Sequence, residues 1–178
     1  MPRYVAFLGS INVGGNQLRM AELREALEAH GFANVGTVVA SGNVLFDHAK
    51  AADGRLEAEI AKLVADRFGI DTFATVRSRD ELAAGLAENP FAGEGEDKLV
   101  HTLFLERQPG KADFAKLERD HAGRGAERMA AGTRALHLYY ADGVARSKLT
   151  GDFIARRLGC KGTARNLRSM RRILDQMD

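Results

Sequence analysis

Apolar and polar positions recur along the chain with two different periods, and these periods predict its secondary structure. Residues 3–8 (RYVAFL) form a nearly unbroken apolar run, which predicts a strand buried on both faces. From Met20 to His30 the apolar residues instead recur at helical spacing, and Gly31 follows as a helix stop. This part of the chain is therefore predicted to run from a strand through a loop into a helix.

The pattern continues to a second strand pair and a second helix. Two short apolar runs flank Ser41-Gly42-Asn43, which predicts a hairpin because glycine suits the first central position of a type II′ turn. A further helical pattern leads to residues 71–76 (DTFATV), which are typical of a strand. Ser78 and Glu81 form a capping-box signature for a short helix that ends at Asn89-Pro90. The order strand, helix, strand, strand, helix, strand is ferredoxin-like.

The second half of the chain repeats the theme. Its pattern predicts a strand at 99–106, a helix from Phe114 to His121, a hairpin at 127–140, a helix from about Ser147 to Leu158 and a last helix from about Thr163 to Met177. The predicted fold class is therefore α+β, with two ferredoxin-like (βαββα-type) subdomains forming a pseudo-duplicated, antiparallel-sheet protein. The predicted division is 1–91, an acidic linker at 92–97, and 98–178, which ends in a basic helix.

The composition is that of a globular protein, and it offers no signal for a disulfide, a membrane span or a metal site. Of the 178 residues, 45% are hydrophobic and 28% are charged, which supplies enough apolar material for a core. Cys160 is the only cysteine, so an intrachain disulfide is excluded and the cytoplasm is the expected location. No apolar run reaches the length of a membrane span, and no HxH, HExxH or CxxC spacing occurs. We therefore expect no membrane association, no metal and no cofactor.

Charge is distributed unevenly along the chain. From residue 144 onward there are nine Lys and Arg residues and three Asp residues, a net charge of +6, so the rest of the chain carries −4 of the total of +2. A basic segment of this kind favours an anionic partner, although docking on an acidic body of the same chain would give the same count.

The last predicted helix is amphipathic. Its apolar stripe is expected to dock on the protein and its arginines to face outward, with Thr163 as the N-cap. Arginines one turn apart favour phosphate binding, which makes a nucleic-acid-binding accessory protein one alternative function. A solvated face that pairs with acidic residues is the other interpretation. The stripe consists of Leu167, Met170, Leu174 and Met177, and the outward face of Arg165, Arg168 and Arg172.

The strongest ligand-binding signal lies in two loops. LGSINVGG (8–15) joins the first strand to the first helix, and in the ferredoxin-like order this loop and the 41–43 hairpin emerge at the same end of the sheet. Backbone N–H groups of glycines, beside a helix N-terminus and neutral polar side chains, suit a phosphate or a carboxylate. The predicted ligand is thus a small anion or a nucleotide-like molecule. The predicted ligand-binding residues are Asn12, Gly14, Gly15, Ser41, Asn43, Arg165 and Asn166.

The same residue types also suit a purely architectural role. Glycine tolerates a left-handed backbone and asparagine hydrogen-bonds within its own turn, so both loops can be no more than tight connections. Residues 8–15 and 41–46 contain no Asp, Glu, His or Lys, the groups that general acid–base catalysis needs. Whether the protein is an enzyme therefore stays open, and no catalytic residue is assigned. A non-enzymatic homo-oligomeric interaction protein is the third function that fits.

Several short motifs together resemble a bacterial family, the domain of unknown function 1697 (DUF1697). They are LGSINVGG (8–15), MAELR (20–24), SGNVLF (41–46), NPF (89–91) and TARN (163–166). The resemblance implies a two-subdomain α+β fold with ferredoxin-like halves, and it implies no activity. Gly9-Ser10 stand where the family has Arg-Gly, and Leu167 stands where Trp follows TxRN. If the family's arginine binds an anion, this chain lacks that charge.

Overall fold

The computed structural model describes residues 1–9, 11, 17–39 and 42–178. Of the predicted ligand-binding residues, Asn12, Gly14, Gly15 and Ser41 lie outside these ranges. The strands are β1 (Arg3–Leu8), β2 (Ala33–Thr37), β3 (Asn43–Asp47), β4 (Ala74–Ser78), β5 (Val100–Leu105), β6 (Arg128–Gly132), β7 (Ala135–Tyr139) and β8 (Gly162–Asn166). The helices are α1 (Met20–Ala29), α2 (Gly54–Phe68), α3 (Arg79–Glu88), α4 (Lys111–His121), α5 (Gly151–Leu158) and α6 (Leu167–Gln176).

The fold class is α+β with antiparallel sheets, as predicted, and each of the two sheets has four strands. The strand order is β2-β3-β1-β4 in the first sheet and β6-β7-β5-β8 in the second, so the same order occurs twice. β1 and β5 occupy equivalent central positions, each with a hydrogen-bonded neighbour on both sides. The predicted duplication of the architecture is therefore confirmed.

The chain divides into two compact units. One comprises Met1–Ala83 together with Arg171–Asp178, and the other comprises Ala84–Met170. The subdomain limits given by the sequence, 1–91 and 98–178, stay a prediction. In the part of the chain that is described, no helix is both long and apolar enough to cross a membrane.

In the first unit, α1 and α2 cover one face of the sheet. Tyr4 and Ala6 of β1 point to this face, and they join Leu23 of α1 and Leu56 of α2 in one buried cluster. The alternation of β1 sends Phe7 to the other face, where it is also fully buried. The strand is therefore buried on both faces, as its unbroken apolar run predicts.

Local signals in the sequence fix the ends of the helices in this unit. Asp53 caps α2 by accepting two backbone N–H groups of the first turn, and Gly69 ends the helix in a left-handed conformation with φ of 66°. The predicted capping box is confirmed at α3. Glu81 accepts the Ser78 N–H at 2.8 Å, and Ser78 Oγ accepts the Glu81 N–H at 3.1 Å.

In the second unit, α4 and α5 pack on one face of the sheet. Leu105, Leu136 and Leu138 of the strands meet Leu117 of α4 and Ile154 of α5 in a second buried cluster. The opposite face of the same strands carries polar residues at buried positions, Thr102 on β5 and His137 on β7, which are direct partners in the strand register. One face of the sheet is thus apolar, and the other, which we call the polar face, holds these polar groups beside the buried Val100 and Phe104.

The prediction for the end of the second half was wrong in one respect. Residues 162–166 form β8, a fourth strand paired with β5, so the last helix begins at Leu167 and not at Thr163. Thr163 lies opposite Phe104 in the strand register and caps no helix. Asn166 has that role in part, since its Oδ1 accepts the Ser169 N–H at 2.8 Å.

Three of the four residues of the predicted apolar stripe of α6 are buried, and the fourth, Leu174, is half-buried. Leu167, Met170 and Met177 are at most 4% exposed, and Ile173 is buried with them. Because Arg165 lies on β8, the outward face of the helix consists of Arg168, Arg171 and Arg172, all exposed. The outward face therefore contains Arg171 in place of the predicted Arg165.

Gly9, at the end of β1, is held against an aromatic ring. Its N–H donates to the Phe73 carbonyl at 3.0 Å, and its carbonyl accepts the Thr72 hydroxyl. A Cβ atom at residue 9 would lie 2.3 Å from Cε1 of Phe73, which is far inside van der Waals contact. The ring therefore occupies the space that any side chain at this position would need.

We expect Gly9→Ala to lower the free energy of unfolding by roughly 1–3 kcal/mol, because the added methyl group overpacks the site. Gly36→Ala is the matched control, since a Cβ there meets nothing within 4 Å. Phe73→Ala should offset much of the Gly9→Ala cost when the two changes are combined. Urea unfolding of the four variants measures this, and additive effects of the two changes would contradict the steric account.

Candidate functional site

The described flanks of the two predicted loops meet at one end of the first sheet. The Leu8 N–H at the end of β1 donates to the Gly42 carbonyl of the hairpin at 2.9 Å. Asn43 is 2% exposed, and its side-chain amide donates to the carbonyls of Val38 and Val39 at 3.1 and 2.8 Å. These bonds build the hairpin, so the amide group of Asn43 has an architectural role.

Arg165 and Asn166, the other described residues of the predicted site, belong to the second unit. Arg165 Nη1 donates to Thr163 Oγ1 at 2.7 Å and to the Ala164 carbonyl at 2.9 Å. Burial lowers the pKa of Arg165 to about 10. Asn166 closes the first turn of α6 as described above. The remaining predicted residues lie outside the described ranges, and the anion site stays a prediction.

A line of three hydrogen-bonded side chains lies on the polar face of the second sheet. His137 Nδ1 is 3.0 Å from Thr102 Oγ1, and His137 Nε2 is 2.9 Å from Glu88 Oε2. Since the ionised carboxylate can only accept, Nε2 carries a proton and donates to it. Glu88 also accepts the backbone N–H and the hydroxyl of Thr133.

This arrangement has the connectivity of a catalytic triad but is closed to a substrate. Thr102 is 1% exposed and His137 is 0% exposed, so the hydroxyl cannot reach an electrophile in solvent. Burial acts to raise the pKa of Glu88, but the hydrogen bonds from His137 and Thr133 outweigh it, and the pKa lies below its ordinary value. The line joins the end of α3 to β5 and β7, which is a structural function.

A pocket of about 380 Å³ opens in the second unit between the C-terminal end of α4 and the start of β6. We call it the α4–β6 pocket. Gly123, with φ of 78°, turns the chain sharply just after the helix, and β6 begins at Arg128. The connection therefore folds back over a cavity. The lining residues are Phe91, Glu118, His121, Ala122, Gly123, Gly125, Glu127, Arg128 and Met129.

Two of the lining residues form a buried ionisable pair. His121 Nε2 lies 3.3 Å from Glu127 Oε2, and the two side chains are 6% and 10% exposed. The distance is that of an ion pair, but the atoms are not aligned as a hydrogen bond. Neither His121 ring nitrogen has a hydrogen-bond partner among the described residues. A buried imidazole left in this state is unusual, and it marks the pocket as a candidate ligand site.

The charge on Glu127 is stabilised from several directions. The Ser147 hydroxyl donates to Oε1. This bond, the backbone N–H of Glu127 and the neighbouring His121 hold the pKa of Glu127 below its ordinary value, against the opposing effect of burial. The carboxylate is therefore ionised at neutral pH.

An aromatic and cationic wall completes the pocket. Phe91, 4% exposed, comes from the NPF segment at 89–91, in which Asn89 Oδ1 accepts the Phe91 N–H at 2.9 Å. The Arg128 guanidinium lies over the Phe91 ring, 5.0 Å from its centroid, and pairs with Glu94 at 2.6 Å. The charge of Arg128 is thus engaged by a carboxylate, and Phe91 supplies an apolar surface.

Other reactive groups do not assemble into a site. Among residues 1–9, 11, 17–39 and 42–178, no three His, Cys, Asp or Glu side chains come together as metal ligands would. Cys160 is buried, and this burial raises the pKa of its thiol. The Sγ atom lies 3.9 Å from the Arg107 carbonyl oxygen. Neither observation supports metal-dependent or thiol chemistry in the part described.

Sequence reasoning did not find the α4–β6 pocket. It placed His121 only at a helix end and did not single out Glu127 at all. The available signal was a histidine in the last turn of a helix followed six residues later by a glutamate at the start of a strand. Such a spacing has no periodicity, so it becomes visible only when the turn at Gly123 is known.

Comparison with known proteins gives a family and a fold. The profile of the family described as "Protein of unknown function (DUF1697)" matches residues 1–137. The structure of conserved bacterial protein SP0830 from Streptococcus pneumoniae is similar, with a TM-score of 0.78 and 21% sequence identity over 99% of this chain and 98% of that one. No match to a curated protein is found. At this level of identity the structural likeness shows the fold alone.

We expect Glu127→Gln to destabilise the protein near neutral pH by roughly 1–3 kcal/mol, because a charge-assisted hydrogen bond is lost. The folded-state pKa of Glu127 lies below its ordinary value of 4.5, so its stabilisation is present above that pH and is lost as the pH falls through the folded value. The difference from wild type should therefore shrink between about pH 7 and about pH 3.5 in urea unfolding.

Glu96→Gln is the matched control for this measurement. Its exposed carboxylate pairs with Lys98 in the same unit, so it should show little difference at either pH. A Glu127→Gln cost that stays constant over the whole pH range would show that the ionised carboxylate is not what stabilises the fold.

Proposed function

The chain belongs to the DUF1697 family of proteins of unknown function, and we propose that it binds a small organic molecule in the α4–β6 pocket. The observation that supports this most directly is the buried His121–Glu127 pair in the pocket wall, whose imidazole nitrogens lack hydrogen bonds. A volume of about 380 Å³ is within the range of small-ligand pockets.

The charges around the pocket favour a ligand with a positive charge or a hydrogen-bond donor. Glu118 is exposed at the pocket, and Glu127 is ionised behind it. The C-terminal end of α4 adds the partial negative charge of its carbonyl groups. Arg128 contributes little to offset this, because its guanidinium is paired with Glu94. A cation would therefore bind here better than an anion of the same shape.

The apolar part of the lining favours a planar ligand. Phe91 and Met129 supply apolar surface at the pocket, and Phe91 is already part of a stack with Tyr139, centroid to centroid 6.2 Å. Rings prefer offset or edge contacts with such a surface. A small amine that carries an aromatic ring and is protonated at neutral pH combines both features, and it is the ligand class that we propose.

A small anionic or nucleotide-like ligand at the 11–15 and 41–43 end of the first sheet is a second proposal. The Leu8–Gly42 bond favours it, because that bond brings the ends of the two loops together. The hydrogen bonds of Asn43 to the hairpin weigh toward the architectural interpretation for that one residue. The proposed residues remain those predicted from the sequence.

Two further functions stay proposals. The exposed arginines of α6 favour binding to a nucleic acid, whose phosphates would release counterions on contact. A homo-oligomeric interaction protein also remains among the proposals. Neither rests on a pocket with a buried ionisable pair, which is why the small-ligand function is preferred.

The ligand charge can be tested with three molecules that share one ring. Benzylamine, benzyl alcohol and benzoate are titrated against the protein by calorimetry, and we expect affinity to fall in that order. Glu118→Gln should weaken the binding of benzylamine by about tenfold, equivalent to roughly 1.4 kcal/mol. It should change the dissociation constant of benzyl alcohol by less than about twofold. The reason is that only the amine has a charge for the removed carboxylate to attract.

Glu96→Gln is the control, because it removes an equally exposed carboxylate that does not line the pocket. Benzoate binding as tightly as benzylamine would contradict the charge argument. Equal losses for both glutamate variants would contradict the location of the site.

The loop-end proposal has a separate test. Metabolites are screened by thermal shift against the wild type and against Asn12→Ala combined with Arg165→Ala. An anionic hit should lose most of its stabilisation in the double variant, because the loop side chain and the proposed cation are both removed. A hit that stabilises the double variant as much as the wild type would refute this site assignment.

A further inference from the structure

A second cavity lies on the apolar face of the second sheet, under the connection from β7 to α5. Its volume is about 360 Å³, close to that of the α4–β6 pocket, but its walls are different. Leu103 of β5 and Leu138 of β7 form the floor, and Leu149 and Ile154 close the inner side. These four side chains are at most 5% exposed. We call this space the apolar cleft.

The rim of the cleft is open to solvent. Val144, Ala145, Thr150, Gly151 and Ala164 line the cleft and are exposed. Val144 is 50% exposed, and in the described chain only Met1 among large apolar side chains is also classed as exposed. An exposed valine at the mouth of a leucine-lined space is a position where an apolar guest would gain further contact.

Charge is absent from the cleft in a protein that is 28% charged. All eleven lining residues are uncharged, and the polar ones are Tyr140, Ser147 and Thr150. The Tyr140 hydroxyl donates to the Leu149 carbonyl at 3.3 Å, and burial raises the pKa of Tyr140 to about 12, so the phenol stays neutral. A charged guest would lose its hydration here and find no charged side chain in the lining, and the Glu127 carboxylate behind Ser147 is engaged by that hydroxyl.

We propose that the apolar cleft is a binding site for a small neutral molecule with an alkyl or aryl body, held between the floor of Leu103 and Leu138 and the rim at Val144. The site is independent of the α4–β6 pocket in ligand class, since that pocket favours a cation. The gain comes from covering the floor and rim, and a guest with one hydroxyl group can also meet the exposed Thr150.

The test uses the neutral fluorophore N-phenyl-1-naphthylamine, whose emission rises in an apolar site. The wild type should bind it saturably, and Ala164→Phe, which fills the cleft from its rim, should weaken binding by about tenfold or more. Ala131→Phe is the matched control, because Ala131 is also exposed on an edge strand of the same sheet but lies outside the cleft. The control should change the dissociation constant by less than about twofold.

A second variant and a ligand series complete the test. Val144→Asp changes an exposed position, so the variant should fold normally by circular dichroism and bind the fluorophore more weakly. The test therefore does not depend on Ala164→Phe alone. Hexan-1-ol should displace the fluorophore, whereas hexanoate and hexylamine should compete at least about tenfold less well. Unchanged binding in Val144→Asp, equal losses in the two phenylalanine variants, or equal competition by the three hexyl compounds would overturn the proposal.

Discussion

Each half of the molecule depends on one central strand that is hydrogen-bonded on both edges. β1 pairs with β3 and β4, and β5 pairs with β7 and β8. Because both edges are occupied, side-chain alternation alone decides what each face of the strand can do. In β5 the alternation places Leu103 in the apolar cleft and Thr102 on the opposite face, where it is hydrogen-bonded to His137. One strand of six residues therefore supports two chemically opposite environments.

The two cavities described in the second unit differ in charge and are linked through one hydrogen bond. Ser147 lines the apolar cleft, and its hydroxyl donates to Glu127 of the α4–β6 pocket. A guest in the cleft that displaced Ser147 would remove a hydrogen bond that keeps Glu127 ionised. By thermodynamic linkage, if a guest in one cavity changes the affinity of the other cavity by some factor, a guest in the other cavity changes the affinity of the first by the same factor. Ser147, in the connection from β7 to α5, thus links the lining of the apolar cleft to a charged group of the α4–β6 pocket.

The sequence predicts those features of the fold that have a period, and it misses those that depend on pairing or turns. The helical pattern ahead of residues 71–76 and the unbroken apolar run at 3–8 appear directly in the sequence, so α2 and β1 are found where expected. β8 is different, because its five residues, GTARN, contain no apolar alternation and none is fully buried. Its backbone bonds to β5 make it a strand, and no local signal announces them.

The same distinction applies to the sites. Glycine and asparagine in a loop are conspicuous in a sequence, yet the amide of Asn43 serves its own hairpin. His121 and Glu127 are inconspicuous, yet the turn after α4 makes them neighbours. Composition identifies residues that are able to bind, whereas chain reversal decides which of them meet in a cavity.

The contact between Gly9 and Phe73 limits how this sequence can change over time. The resemblance described above implies an arginine where this chain has Gly9, and the Phe73 ring fills the space that the first atoms of such a side chain would need. A mutation that restored the arginine alone would meet the ring, so the ring would have to move or residue 73 would have to become smaller. The two positions are therefore coupled, and the effect of a substitution at one depends on the residue at the other.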